Sequence, residues 1–167
     1  MKKTQQLMLG LAGLVMAILA GSVTAQAKSK LPKSYRGNWY GYVCSEKSGH
    51  VRTYYAVKLR FTSNRMDYNY LQTTKSNLSQ LDWQWGEKSL VTYKQQTDKH
   101  HRAYYELNSE AFMDDLNELQ LTTVKVNGKA TQALNVWGEA DAVYAFRQPI
   151  RAHAWGWDFQ DYIPTDE

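Results

Sequence analysis

The stretch VRTYYAVKLRF, residues 51–61, is the part of the sequence that decides the fold. Its odd positions, from Val51 to Phe61, are mostly hydrophobic, and three of its five even positions are basic. Because side chains of a strand point alternately to its two faces, the pattern predicts a strand with one face on a core and one in solvent. Half-buried strands of this kind are typical of antiparallel sheets.

The same alternation recurs over most of the chain on both sides of this strand. Further strands are predicted over 35–44, 66–74, 81–85, 89–95, 102–107, 118–126, 129–137 and 142–148, with a turn at Gly86-Glu87-Lys88. Asn127-Gly128 is the strongest hairpin signal. Ser109 is a candidate N-cap for one short helix over 110–116.

These elements predict an all-β fold, an antiparallel meander of about eight to ten strands with one short helix. Closure into a barrel is the economical arrangement, since it removes the exposed edge strands. A β-sandwich is the alternative.

The first 27 residues have the three parts of a secretory signal peptide. Lys2 and Lys3 supply positive charge, residues 7–20 are uncharged and apolar, and Ala25-Gln26-Ala27 offers a cleavage site. We therefore expect a basic leader over 28–34, a β domain over 35–150 and an aromatic tail over 151–167 that packs on it. The expected location is extracellular, released or loosely held at the cell surface, with no membrane span after cleavage.

Charge is distributed unevenly along the expected mature chain. The segment 28–75 has ten lysine and arginine residues against two acidic ones, and the remainder has eight against fourteen. Either the two halves neutralise each other across neighbouring strands, or the basic half forms a face for anionic polymers such as teichoic acids. Nucleic acid is not an expected partner, because no nucleic-acid-binding motif is present.

The number of aromatic residues exceeds what a small core usually contains. Six tryptophans, twelve tyrosines and four phenylalanines all lie after residue 27. They reflect either strand propensity or exposed rings that stack on sugars, apolar ligands or proteins. The residues predicted to bind a ligand or partner are Tyr40, Tyr42, Tyr54, Trp83 and Trp85.

Catalytic and metal-binding patterns are weak in this sequence, and neither a cofactor nor a metal is expected. His100-His101 follows Asp98, but a zinc site would need a further ligand such as His50 or His153. Cys44 is the single cysteine and is expected to be a buried strand residue. No nucleophile elbow, phosphate-binding loop or zinc-protease motif is present.

Gly37-Asn38-Trp39, at the start of the first predicted strand, resembles the Gly-x-Trp signature of the lipocalins and the wider calycin superfamily. The resemblance implies an eight-stranded barrel in which Trp39 closes one end under an arginine from near the last strand. Arg147 and Arg151 are the candidates for that arginine. The Thr-Asp-Tyr motif and the disulfide of that superfamily are not found in this chain.

A second resemblance begins at Pro32-Lys33-Ser34-Tyr35-Arg36-Gly37-Asn38-Trp39-Tyr40. This block, placed soon after a signal peptide, is similar to the opening of small exported β-rich proteins of lactic-acid bacteria. That resemblance implies a Gram-positive exported protein and no particular activity.

Together these features predict a secreted, non-enzymatic binding module. Its partner would be a small apolar ligand inside the barrel, a cell-wall polymer or a host protein. The alternatives are a secreted hydrolase inhibitor that uses the loop 96–101 and, third, an uncharacterised enzyme.

The first prediction concerns export and cleavage of the signal peptide. When the full chain is expressed in a Gram-positive host, Edman sequencing of the released protein should begin at Lys28, or at Gln26 if cleavage follows Ala25. Substitution Ala27→Asp should shift or block cleavage, because the peptidase selects small residues there. A membrane-bound product that keeps residues 1–27 would contradict the prediction.

Overall fold

A computed structural model describes residues 30–109, 118–137 and 142–156 of the chain. They form eight strands: β1 Gly37–Ser48, β2 Val51–Phe61, β3 Arg65–Thr73, β4 Asp82–Thr97, β5 Ala103–Ser109, β6 Glu118–Val126, β7 Lys129–Trp137 and β8 Ala142–Ala145. The predicted signal peptide and the predicted helix over 110–116 lie outside the described residues.

The eight strands form one antiparallel meander in which each strand pairs with the next along the chain. The all-β prediction is confirmed, and the strands lie in a single sheet rather than in the two sheets of a sandwich. β1 and β8 are not joined by a ladder. They meet at one bridge, where Tyr40 and Phe146 exchange backbone hydrogen bonds of 2.7 and 2.8 Å.

β4 corrects the prediction of a turn at Gly86-Glu87-Lys88. The chain continues through these residues as one strand, whose first part pairs with β3 and whose last part pairs with β5. A Cβ at Gly86 would lie 2.5 Å from the carbonyl oxygen of Tyr68. Gly86 therefore permits the close approach of β3 and β4. A glycine that serves close packing within a strand cannot be distinguished, from the sequence alone, from a glycine that makes a turn.

The inner side of the sheet is filled by large hydrophobic side chains. The largest that are almost fully buried are Trp39, Tyr68, Tyr70, Tyr93, Phe61, Leu59 and Met66. The odd positions of β2 from Val57 to Phe61 belong to this core, as the alternation predicted. A smaller hydrophobic cluster around Ala133 and Phe146 covers the outer face of β7 and β8 under the chain that follows them.

Part of the expected basic leader packs against the core. Leu31 is completely buried, and a turn in which Tyr35 donates a backbone hydrogen bond to Pro32 leads into β1. The hydroxyl of Tyr35 lies between β5 and β6, 3.5 Å from the carbonyl oxygen of Ala103 and 3.4 Å from the amide nitrogen of Leu121. Ala103 and Leu121 would be opposite each other in the β5–β6 register but do not pair. The phenol of Tyr35 therefore lies where the two strands separate.

Trp155 fills a second split, between β1 and β8. Beyond the Tyr40–Phe146 bridge, Tyr42 and Tyr144 would form the next hydrogen-bonded pair of an antiparallel ladder. Instead, the backbone amide of Trp155 donates to Tyr42 (2.9 Å) and its indole Nε1 donates to the carbonyl oxygen of Tyr144 (3.0 Å). One buried residue thus satisfies a carbonyl group on each strand.

Gly41 has no side chain and so leaves space for the Trp155 ring. The second prediction tests this contact. A methyl group built on Gly41 would overlap the indole, so Gly41→Ala should lower the free energy of unfolding by about 2 kcal/mol. In a Trp155→Ala background the same change should cost much less, because the ring is gone. Urea unfolding followed by circular dichroism measures both values.

Gly49→Ala is the matched control. Unlike Gly41, Gly49 has a positive φ, of 59°, but nothing lies within 4 Å of the added carbon. Its cost should be about 1 kcal/mol and the same in both backgrounds. Equal costs of Gly41→Ala with and without Trp155 would contradict the proposed contact.

Candidate functional site

Arg147 directly follows Phe146, the residue that bridges to Tyr40, and its side chain reaches the start of β1. Its guanidinium lies 3.7 Å from the centre of the Trp39 ring and donates hydrogen bonds to the carbonyl oxygens of Ser34 (2.5 Å), Arg36 (2.7 Å) and Asn38 (3.3 Å). Trp39 is fully buried, and its indole Nε1 donates to the carbonyl oxygen of Tyr35 at 2.7 Å. Of the two arginines offered by the sequence, Arg147 occupies this position.

Gly37 is required beside Arg147 for two reasons. Its φ of 96° lies in the region that disfavours side chains, and an added Cβ would lie 3.2 Å from the arginine Nη1. The structure thus brings Gly37, Trp39 and Arg147 into contact. Arg151 lies elsewhere, with its guanidinium 5.4 Å from the Tyr54 ring.

Aromatic rings pack inside the sheet where an internal ligand would be expected. Tyr55 stacks on Tyr70 with ring centres 5.8 Å apart, and Tyr68 packs on Trp85 at 5.3 Å. The Tyr70 hydroxyl and the Trp85 indole nitrogen are buried without a hydrogen-bond partner among the described residues. Burial, together with the neighbouring Cys44 and tyrosines, raises the pKa of Tyr70.

Cys44 lies on the same inner side. Burial, followed by the negative charge of Glu46, raises the pKa of its thiol to about 11. The thiolate is therefore a minor species at neutral pH, which makes Cys44 a poor nucleophile.

A groove on the outer face of β1 to β4, here called the aromatic groove, has a volume of about 480 Å³. Tyr40 of β1 and Trp83 of β4 both line it, with β2 and β3 between them. Trp83 is 61% exposed, and its indole donates to Asn69 Oδ1 at 3.2 Å, which fixes the ring. Lys58 and Asn69 form the floor between them.

The loop between β3 and β4 forms one wall of the aromatic groove. Leu78 and Gln80 have φ values of 56° and 53°, and Leu78 is almost fully buried. Thr73 Oγ1 donates to the carbonyl oxygen of Ser79 at 2.7 Å. Because such backbone conformations persist only where the surroundings fix them, the wall is preformed.

A second outer groove, here called the basic groove, has a volume of about 360 Å³. Arg52, Arg151 and Ser45 line it together with Tyr42 and Tyr54. Arg52 donates to the hydroxyl of Ser45 at 3.1 Å, which orients its guanidinium. The basic groove contains two arginine charges close to the aromatic rings of β1 and β2.

The structure separates the five predicted binding residues into three places. Tyr40 and Trp83 share the aromatic groove, Tyr42 and Tyr54 line the basic groove, and Trp85 packs in the core. A register shift in β4 pairs Tyr70 with Trp85 but Leu71 with Trp83. This bulge adds one residue and places the two tryptophans on opposite faces of the sheet, although their spacing predicts the same face.

Several groove residues were not singled out from the sequence. Arg52 and Lys58 occupy the solvent-facing positions of the β2 alternation, which is the signal that could have found them. Arg151 and Asn69 reach the grooves through turns and register, which the sequence pattern does not encode.

The ion pairs among the described residues are Arg60–Asp67, Lys94–Glu106 and Arg102–Asp98. Each lies within the basic half or within the acidic half, and none in this part of the chain joins the two. Strands β1 to β3 hold five basic residues, Lys47, Arg52, Lys58, Arg60 and Arg65, against Glu46 and Asp67, and they contribute four lining residues to each outer groove.

Asp98 holds the turn before β5. Its carboxylate accepts hydrogen bonds from the backbone amides of His100 and Arg102, the Arg102 side chain and Gln120. The Arg102 amide, with the other donors, holds the pKa of Asp98 well below its usual range. In the described part of the chain, no three His, Cys, Asp or Glu side chains are placed to share an ion.

The fold and the grooves define an all-β protein with an eight-stranded antiparallel meander. Comparison with protein-family models, with curated proteins and with solved structures finds no match to this chain. Within residues 30–109, 118–137 and 142–156, no helix has the length and hydrophobicity needed to cross a membrane.

The third prediction concerns the Arg147–Trp39 contact. Arg147→Lys keeps the charge but cannot stack on Trp39 and also reach three carbonyl groups, so it should destabilise the protein by about 2 kcal/mol. Arg151→Lys, whose arginine lies on the surface, is the control and should change the stability by less than about 0.5 kcal/mol. Urea unfolding measures both, and equal effects would contradict the structural role of Arg147.

Proposed function

We propose that this protein is a secreted, non-enzymatic binding module for an anionic, sugar-containing polymer of the cell envelope. The observation that carries the proposal is that both grooves lie on the outer face of the sheet and share strand β1, where Tyr40 lines the aromatic groove and Tyr42 lines the basic groove. Aromatic faces bind sugar rings by stacking, and arginine forks bind phosphate groups through paired hydrogen bonds.

The proposal includes closure of the sheet into a barrel of the calycin type. Its support is the Tyr40–Phe146 bridge, the hydrogen bonds of Trp155 to both edge strands and the packing of Arg147 on Trp39. In such a barrel the grooves lie on the outer wall, on rigid strands whose register fixes their spacing.

The packed interior favours an external ligand over a small apolar ligand inside. Trp39, Tyr68, Tyr70 and Tyr93 occupy the inner side of the sheet at close packing. An internal ligand would have to displace these rings, whereas both outer grooves are open in the described structure.

Charge distribution supports an anionic partner. Strands β1 to β3 carry five basic residues against Glu46 and Asp67, and Arg52 and Arg151 line the basic groove, which gives this face a positive potential. Binding through this face should weaken as salt is added, because the Debye length is about 8 Å at physiological ionic strength.

The fourth prediction is tested by sedimenting the mature protein with Gram-positive cell walls and measuring the bound fraction. Walls that retain their anionic polymers should retain the protein, and walls stripped of them should retain at least about tenfold less. The Arg52→Gln/Arg151→Gln variant should lose the polymer-dependent part of the binding. Trp83→Ala should weaken binding to soluble polymer fragments about tenfold by removing the exposed ring.

Lys129→Gln is the matched control, since it removes an exposed charge from β7 that lines neither groove. It should bind like the unmodified protein. If the stripped walls bind equally well, or if the groove variants and Lys129→Gln behave alike, the proposed function is wrong.

A further inference from the structure

A third groove lies where β5 and β6 separate. These strands pair at only two positions among the described residues, Tyr105–Leu119 and Glu106–Glu118, and the Tyr35 hydroxyl lies in the split beyond them. On the outer face this leaves a groove of about 490 Å³ between the turn after β4 and strands β6 and β7. It is called the β5–β6 groove here, and it belongs to the acidic half of the chain.

Asn135 lines this groove and is an unusual residue to bury. Its side chain lies on the outer face of β7, it is only 8% exposed, and its Oδ1 has no hydrogen-bond partner among the described residues. A buried amide oxygen without a donor costs about 1–3 kcal/mol. A ligand that brings an N–H or O–H group into the groove would remove that cost.

Glu118 places a carboxylate beside the same space. Burial, followed by the charge of Glu106, raises its pKa, and no basic side chain pairs with it among the described residues. Glu106 itself is paired, with Lys94 at 3.3 Å and with the Gln96 amide at 2.8 Å. Of the two carboxylates that line the groove, Asp98 and Glu118, Glu118 is therefore the one without a basic partner among the described residues.

The basic residues near the groove do not compensate Glu118. Arg102 donates two hydrogen bonds of 2.8 Å to Asp98, whose second oxygen accepts two backbone amides. Lys99 lies on the exposed turn at the rim, where water screens its charge.

Tyr104 supplies an aromatic face on the β5 side of the groove. Burial raises the pKa of its hydroxyl, and the carboxylates of Glu118, Glu106 and Asp98 add to the effect. An aromatic ring, a carboxylate and an acceptor oxygen that surround one space are the groups that bind an ammonium ion.

We propose that the β5–β6 groove binds a primary ammonium group, with Glu118 as its counter-ion, Asn135 Oδ1 as a hydrogen-bond acceptor and the Tyr104 ring as a cation–π partner. The site is separate from the two grooves on β1 to β4, so it is independent of the proposed polymer binding. Lysine side chains and amino-acid esters both carry this chemistry.

Titration of the isotope-labelled mature protein with n-butylammonium chloride, followed by amide NMR shifts, tests the proposal. The amides of Tyr104, Glu118 and Asn135 should shift together, with a dissociation constant in the millimolar range. The neutral probe 1-butanol, which has the same size, should leave them unchanged, and sodium chloride at equal concentration controls for ionic strength.

Glu118→Gln should raise the dissociation constant for butylammonium at least about tenfold, whereas Glu87→Gln, on the exposed part of β4, should not change it. If Glu118→Gln fails to fold, Tyr104→Leu replaces it as the test and should weaken binding severalfold. Nα-acetyl-lysine methylamide and alanine methyl ester then distinguish a lysine side chain from an amino-acid ester as the preferred source.

Two results would overturn the proposal. One is that butanol shifts the same amides as strongly as butylammonium, which would mean that the charge is not recognised. The other is that butylammonium shifts none of them in the unmodified protein.

Discussion

The packing of Arg147 on Trp39 is the interaction on which the rest of the structure depends. It joins the end of the meander to its beginning, because the same guanidinium binds carbonyl groups of residues 34, 36 and 38. The adjacent residue, Phe146, forms the one bridge to Tyr40. Strands that pair only with their sequence neighbours have two free edges. This contact links the residue after Phe146 to the start of β1, over a separation of more than one hundred residues.

Side chains, rather than further strand pairing, complete the sheet at its two weak places. The phenol of Tyr35 lies between β5 and β6, and Trp155 bonds to both β1 and β8. Both come from segments outside the eight strands, one before β1 and one after β8. The split between β5 and β6 also has a functional consequence, since it opens the groove beside Glu118 and Asn135.

The meander keeps the basic and the acidic halves of the chain on different strands, and this separation links the fold to the proposed functions. Strands β1 to β3 come from the basic half and contribute residues to both the aromatic groove and the basic groove. Strands β5 to β7 come from the acidic half and carry the β5–β6 groove. A polymer with sugar and phosphate groups suits the first surface, and an ammonium group suits the second, because each ligand supplies the charge that the surface lacks.

The sequence by itself determined most of the strands and the inner face of β2, because the alternation that predicts a strand is the same property that buries one side of it. It also placed Gly37 and Trp39 at the start of the first strand and offered Arg147 as one of two partners. Only the tertiary structure decided between Arg147 and Arg151, separated Trp83 from Trp85 by a bulge and made Gly86 a close contact instead of a turn. These outcomes depend on register and on contacts between distant segments, and local sequence patterns contain neither.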